Sequence, residues 1–266
     1  MNPNDAVLWV NGRFVSEHEP VICATDAGLL WGWGAFETLR MRAGKPVHAE
    51  RHVRRLADAV LRLRIQSVSE WLNILPIVSC ALADRVGLSE SIARWTVTAG
   101  VAGRPSVICQ MRPLPQDLIE RQQGIEGISV PVLRGLANLK STSYLPSLYA
   151  RWALDSANAG SPQEPIFVDD SIVLEGATTN LILLGEREVH TPPADGKILP
   201  GVMREVCLEQ AIQRGCIVRE STVTLSMVRS ARGCYLTNSI IGVCPMVSLN
   251  GEKLMTTTWP FGDVWC

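Results

Sequence analysis

Residues 172–184 read IVLEGATTNLILL. Two apolar runs, 172–174 and 180–184, have strand character. Between them a carboxylate, a glycine and two threonines interrupt what is otherwise an apolar strand pair. Either the break is a solvated turn, or Glu175 is buried and needs a positive or hydrogen-bond-donating partner. Working outward, a strand is expected at 165–169, with Asp169-Asp170-Ser171 as the turn into 172. Further on, Pro200 precedes a helix at 201–215. Strands follow at 217–220, 233–238 and 246–249, with a short helical element at 225–228. Upstream lie a strand at 127–133 and a helix at 147–159. Strands interleaved with helices imply a mixed α/β, or α+β, unit.

The N-terminal half has the same character. Residues 7–10 and 13–15 flank Asn11-Gly12, a strong hairpin signal. Residues 35–42 (AFETLRMR) read as a strand that turns at Ala43-Gly44-Lys45. Val53, Leu56, Val60 and Leu63 share one face of a helix expected at 49–65, and a second helix is expected at 70–86. Residues 94–100 and 106–111 form a hairpin. Pro113-Leu114-Pro115-Gln116 then breaks regular structure. The chain therefore divides into an N-terminal α/β domain at 1–115, a linker at 116–124 and a C-terminal α/β domain at 125–266.

Composition narrows the function. Of 266 residues 47% are hydrophobic and 19% charged, and 25 Lys and Arg against 26 Asp and Glu leave a net charge of −1. That balance argues against a nucleic-acid or anionic-membrane surface. No apolar run reaches the roughly 18 residues of a membrane helix. The opening MNPNDAVLWV shows no basic or apolar leader. The eight cysteines form no C-x-x-C pair and read as reduced, buried thiols, so a cytoplasmic location is expected. The four histidines are scattered, and no metal site is expected.

Three features carry chemistry. Lys140 lies in LANLKSTSYLPSLY, residues 136–149, between apolar residues and hydroxyls. It is either a surface lysine at a helix start or a partly buried amine with a lowered pKa, able to form a Schiff base. Glu175 is the second. The third is a pair of possible anion sites. One is ILPGVMR at 198–204, which places Gly201 and Val202 at a helix start. The other is LTNSIIGVCP at 236–245, with Thr237, Asn238 and Ser239 at a strand end. Both could equally be ordinary caps and turns. A Schiff-base lysine, a buried carboxylate and a phosphate cradle are together what pyridoxal 5′-phosphate requires.

These segments resemble the class IV aminotransferases, the fold-type IV enzymes that use pyridoxal phosphate. The family includes branched-chain and D-amino-acid aminotransferases and aminodeoxychorismate lyase. WVNGRFV at 9–15 and TDAGLLWGWGAFETLR at 25–40 are similar to the family's opening, and His52-Val53-Arg54-Arg55-Leu56 to its H-x-x-R-L helix. By that match Arg55 binds the cofactor phosphate, Lys140 is the Schiff-base lysine, and Glu175 faces the pyridine nitrogen. Val202 and Met203 offer backbone amides to the phosphate, and Asn238 and Ser239 complete the cradle. The resemblance implies the two-domain fold of D-amino-acid aminotransferase and a homodimer. It also implies an active site between the domains, near the partner subunit, with most of the cofactor contacts from the C-terminal domain.

Two reactions share this apparatus. A transaminase moves an amino group between an amino acid or amine and a keto acid. Aminodeoxychorismate lyase eliminates pyruvate to give 4-aminobenzoate. Phe36-Glu37-Thr38 and residues 237–246 resemble lyase segments. Against that, Thr98-Ala99-Gly100 stands where the family often has T-R-G, which leaves Arg104 as a candidate substrate cation or a plain turn residue. Phe36, Thr38, Arg104 and Tyr144 are the candidate substrate contacts. The complete cofactor set with an incomplete lyase-like loop favours the transaminase. A non-catalytic binding protein on the same scaffold is a third reading, against which the retention of Lys140 and Glu175 argues.

Overall fold

A computed structural model describes residues 7–19, 21–155 and 161–265. It divides the chain into one unit of Met1–Leu114 with Leu139–Ser143, and a second of Pro115–Asn138 with Tyr144–Cys266.

In the first unit, β1 (Val7–Val10) and β2 (Arg13–Ser16) flank Asn11 and Gly12. Both turn residues have positive φ, 43° and 91°, which matches the turn to the twist of the strands. Asp26 caps the short helix α1 (Ala27–Trp31) by accepting the Gly28 N–H at 2.7 Å. Then follow β3 (Gly34–Arg42), β4 (Lys45–Pro46), α2 (Ala49–Arg62), α3 (Ser69–Val86), β5 (Ser91–Val101) and β6 (Arg104–Pro113). The six-stranded sheet has the order β2-β1-β6-β5-β3-β4 and is antiparallel throughout. Its core joins Leu56 and Val60 of α2 and Leu72, Leu75 and Leu82 of α3 to Leu39, Met41, Trp95 and Val97 of the sheet. Trp95 is wholly buried, and its indole N–H is satisfied by Ser79 Oγ at 2.8 Å.

The second unit contains α4 (Leu118–Gln123), β7 (Ile125–Val130), α5 (Leu145–Asp155), β8 (Gln163–Asp169), β9 (Ile172–Gly176), β10 (Asn180–Leu184), β11 (Glu188–Thr191) and α6 (Val202–Gln213). It continues with β12 (Ile217–Glu220), β13 (Val223–Thr224), α7 (Leu225–Ser230), β14 (Gly233–Asn238), β15 (Gly242–Leu249) and β16 (Glu252–Lys253). The ten-stranded sheet runs β12-β11-β10-β14-β15-β7-β8-β9-β13, with β16 against β15. Parallel neighbours need a long crossover. Here α5 lies between the parallel strands β7 and β8, and α6 between β11 and β12.

Several expectations change. The runs at 172–174 and 180–184 are not a strand pair: β9 pairs with β8 and β13, whereas β10 pairs with β11 and β14. The intervening turn therefore carries the chain from one part of the sheet to another. Residues 116–124, expected as a linker, contain α4, whose Leu118 is buried, and they belong to the second unit. The helix expected at 147–159 starts earlier, at Leu145, and its expected end lies outside the described residues, as do residues 1–6 and Cys266. Among the described residues no helix is long and apolar enough to cross a membrane, and no cluster of metal-ligating side chains occurs.

Candidate active site

Lys140 sits on a segment that extends the first unit's sheet. Beside residues 34–36, an edge of β3 is covered by residues 140–142. The Phe36 N–H donates to Lys140 O at 2.8 Å, the Thr142 N–H donates to Gly34 O at 2.9 Å, and Ala35 bridges Ser141. Thr142 Oγ1 also donates to Gly32 O at 2.7 Å. Backbone pairing thus fixes the lysine, expected in the C-terminal domain, to the first unit. Its Nζ lies 4.7 Å from the centroid of the Phe36 ring, over which Arg94 also lies, with Cζ at 3.7 Å. Both distances suit cation–π attraction.

One residue along β3, Glu37 is wholly buried. Arg55 grips it with two hydrogen bonds, Nε to Oε1 at 2.7 Å and Nη2 to Oε2 at 2.6 Å. His52 Nδ1 lies 2.7 Å from Oε2. His52 and Arg55 are three apart on α2, so they share a face. Burial alone would raise the Glu37 pKa, but the charge and hydrogen bond of Arg55, with the hydrogen bond of His52, outweigh it and hold the carboxyl down to about 2. Burial lowers the His52 pKa, and the neutral ring then donates from Nδ1, because the ionised carboxylate can only accept. The sequence reading gave Arg55 to a phosphate. The structure engages it with Glu37, which takes two of the guanidinium's five N–H groups.

The second unit holds the other constellation. Glu175, the last residue but one of β9, is only 3% exposed, so the turn is not a solvated one. Its Oε1 accepts from Arg134 Nη2, and its Oε2 accepts from the Leu199 N–H at 3.1 Å and Asn180 Nδ2 at 3.3 Å. Donors on both oxygens are what a buried carboxylate needs. The turn itself is tied by Gly176 N–H to Thr179 O at 2.8 Å. It is tied again by Glu164, a buried carboxyl that accepts from the Thr178 N–H at 2.6 Å and Thr178 Oγ1 at 2.8 Å. Burial raises the Glu164 pKa, against those hydrogen bonds.

Val202 and Met203 open α6, and Gly201 precedes them with no side-chain cap. The first N–H groups of a helix have no intrahelical acceptor, and the helix dipole adds positive potential there. Arg204 anchors this turn: its guanidinium donates to Thr191 Oγ1 at 3.1 Å, Pro192 O at 2.9 Å and Glu220 Oε2 at 2.7 Å. Asn238 ends β14, and its side chain serves the following turn. Oδ1 accepts the N–H groups of Ile240 and Ile241 at 2.8 and 2.9 Å, and Nδ2 donates to Thr178 O at 3.3 Å. Ser239 lies in that turn, and the neighbouring Thr237 Oγ1 is buried without a hydrogen-bond partner.

The candidate substrate contacts divide between the units. In the first, Phe36 is buried beside Lys140, and Thr38 is half-buried and paired with Arg94 across β3 and β5. Arg104 is exposed and closes the β5–β6 hairpin opposite Val101. In the second, Tyr144 OH donates to Ala177 O at 3.3 Å, and burial raises its pKa. Sequence reasoning did not single out Glu37, Arg134, Asn180 or Arg204. The signal for Glu37 was a carboxylate inside an apolar strand together with His and Arg three apart on a helix.

A model of the family described as amino-transferase class IV matches residues 34–249. A Methanocaldococcus jannaschii protein, provisionally named a branched-chain-amino-acid aminotransferase, is 30% identical over 262 residues, 93% of this chain and 89% of that protein. The aminodeoxychorismate lyase of Bacillus subtilis is 28% identical over 257 residues, 91% of this chain and 86% of that protein. In fold, the chain is similar to the PLP-bound form of a hypothetical aminotransferase from Mycobacterium tuberculosis. The TM-score is 0.85 at 21% identity, covering 95% of this chain and 94% of that one.

Proposed function

The chain belongs to the class IV aminotransferase family, and from that premise we propose that it moves amino groups between an amino acid or amine and a keto acid, with Lys140 and Glu175 as its central groups. Enzymes of this family work with pyridoxal 5′-phosphate, which when bound supplies an electron sink for the pair left on the substrate carbon. The observation that carries the reading is the donor set of the second unit. A buried carboxylate held by three donors lies near the end of β9, and two residues after Leu199, one of those donors, comes Gly201, ahead of the uncapped start of α6. A ring nitrogen and a phosphate call for that combination.

Each residue then has a task. Lys140 would hold the cofactor through its side-chain amine, and the same amine would serve as the base and acid that moves the substrate's α-proton. Glu175 keeps a proton on the ring nitrogen by favouring its charged form. Val202 and Met203 would donate backbone N–H groups to the phosphate, and Asn238, at the end of β14, and Ser239 would complete its cradle. Arg55 adds charge-assisted hydrogen bonds, with Glu37 and His52 fixing its orientation. Phe36, Thr38, Arg104 and Tyr144 are the proposed substrate contacts.

We further propose a homodimer in the cytoplasm. Leu145 and Tyr149 stand one turn apart on α5 and are both exposed, an apolar helix face of the kind that docks on a second copy. The described cysteines are all free thiols, which suits a reducing compartment.

The similarity to a Bacillus subtilis aminodeoxychorismate lyase favours a second reading, elimination of pyruvate from aminodeoxychorismate. Incubating the protein and cofactor with amino donors and keto acids, and separately with aminodeoxychorismate, decides between them. Amino transfer as the faster reaction is expected. Release of 4-aminobenzoate at a higher rate than any amino transfer would reverse the order.

A further inference from the structure

Leu199 stands two residues before Gly201, and both of its peptide groups are held. Its N–H donates to Glu175 Oε2 at 3.1 Å, and its carbonyl accepts from Asn180 Nδ2 at 2.9 Å. Asn180 Nδ2 also lies 3.3 Å from Glu175 Oε2, so one amide group touches both the carboxylate and the chain that leads into α6. The other end of the same amide packs against the helix start. A Cβ built on Gly201 would lie 1.8 Å from Asn180 Oδ1, so any side chain there would have to displace the amide. Pro200 stiffens the intervening residue by fixing its φ. Asn180 itself is 5% exposed and begins β10, a strand held between β11 and β14.

We propose that Asn180 is a positioning residue that couples the cofactor's two polar ends, by holding the Glu175 carboxylate and the phosphate-facing start of α6 at a fixed separation. The inference rests on the reading that these groups serve the ring nitrogen and the phosphate. Removing the amide leaves the partly buried Leu199 carbonyl without its donor and takes one donor from Glu175. It also opens space beside Gly201, so the path from carboxylate to helix loosens at both ends.

The test is binding rather than turnover. The purified full-length chain and its Asn180→Ala and Asn180→Asp variants are stripped of cofactor and titrated, by absorbance, with pyridoxal 5′-phosphate and with pyridoxal, which lacks the phosphate. The preference for the phosphorylated form is the ratio of the two affinities. A general loss of stability weakens both ligands alike and leaves the ratio unchanged. Loss of the coupling weakens pyridoxal somewhat and the phosphorylated form further, so the ratio falls about tenfold, the scale of one buried hydrogen-bond partner removed. Asn180→Asp keeps the shape, replaces the donor by a charge like that of Glu175, and serves should the alanine variant fail to fold. A ratio equal to wild type in the folded variants overturns the inference alone. A wild-type chain that takes up no pyridoxal 5′-phosphate overturns the functional reading and the inference with it.

Discussion

Two buried carboxylates, Glu37 and Glu175, are held by different means, and the difference is testable. Glu37 meets a bidentate guanidinium and a neutral imidazole, and its pKa is held down to about 2, well below the ordinary range of a glutamate carboxyl. A depressed carboxyl pKa contributes stability above the unfolded value that is lost as pH falls toward the folded one. The shift corresponds to roughly 3 kcal/mol at pH 7. Glu37→Gln is therefore expected to lower the free energy of urea unfolding by about 3 kcal/mol at pH 7, with the gap to wild type narrowing by more than half at pH 3. An equal gap at both pH values would mean that the carboxylate charge is not what matters. For Lys140→Ala the expectation is turnover lower by roughly 10²-fold or more with the fold intact, since it removes the group proposed to move the proton. Unchanged turnover would remove Lys140 from the chemistry. At this scale Lys140 and Glu175 were legible because each is a charged group inside an apolar stretch. Glu37, Arg134 and Asn180 were not singled out, because a polar residue in a strand or loop looks solvated until its partner is known. Those partners are distant in sequence, as with Arg55 for Glu37 and Glu175 for Arg134.

Among the elements, the strands β10, β12 and β14 follow the sequence pattern to the residue, because apolar runs bounded by turn residues leave little choice. The short elements α1, α4, β11 and β13 have too few residues to carry a period, and only packing and capping reveal them. The pairing of β9 and β10 was also out of reach. Adjacency in sequence suggests a hairpin, and only the whole sheet shows that the Glu175 turn is a crossover. That crossover brings Glu175 within reach of the loop before α6. In the first unit the β5 register places Trp95 under α3, where its ring fills the core. Trp95→Ala is expected to cost about 3–5 kcal/mol in unfolding free energy, read by thermal or urea denaturation. A loss under 1 kcal/mol would show that the site collapses around the gap.

Across the whole molecule, the division into units differs from a simple cut in the chain. Residues 139–143 return to the first unit because an edge of β3 accepts them as a partner, and Lys140 travels with them. A composition-based boundary at 116–124 has no means of registering that, since backbone pairing leaves no mark on composition. The exposed apolar face of α5 bears on assembly. Sedimentation equilibrium is expected to give twice the 29.1 kDa of one chain, and charged substitutions at Leu145 and Tyr149 are expected to shift it toward one chain. A mass of 29.1 kDa for the unaltered protein would contradict the proposed dimer.

The most direct test of the central claim is the visible absorption spectrum of the purified protein with pyridoxal 5′-phosphate, before and after adding single amino donors with no keto acid present. A transaminase of the kind proposed is coloured by its bound cofactor and is bleached by at least one donor, with one keto acid formed per cofactor bleached. A protein that takes up the cofactor but is bleached by no donor in a broad panel of D- and L-amino acids and amines would contradict amino transfer.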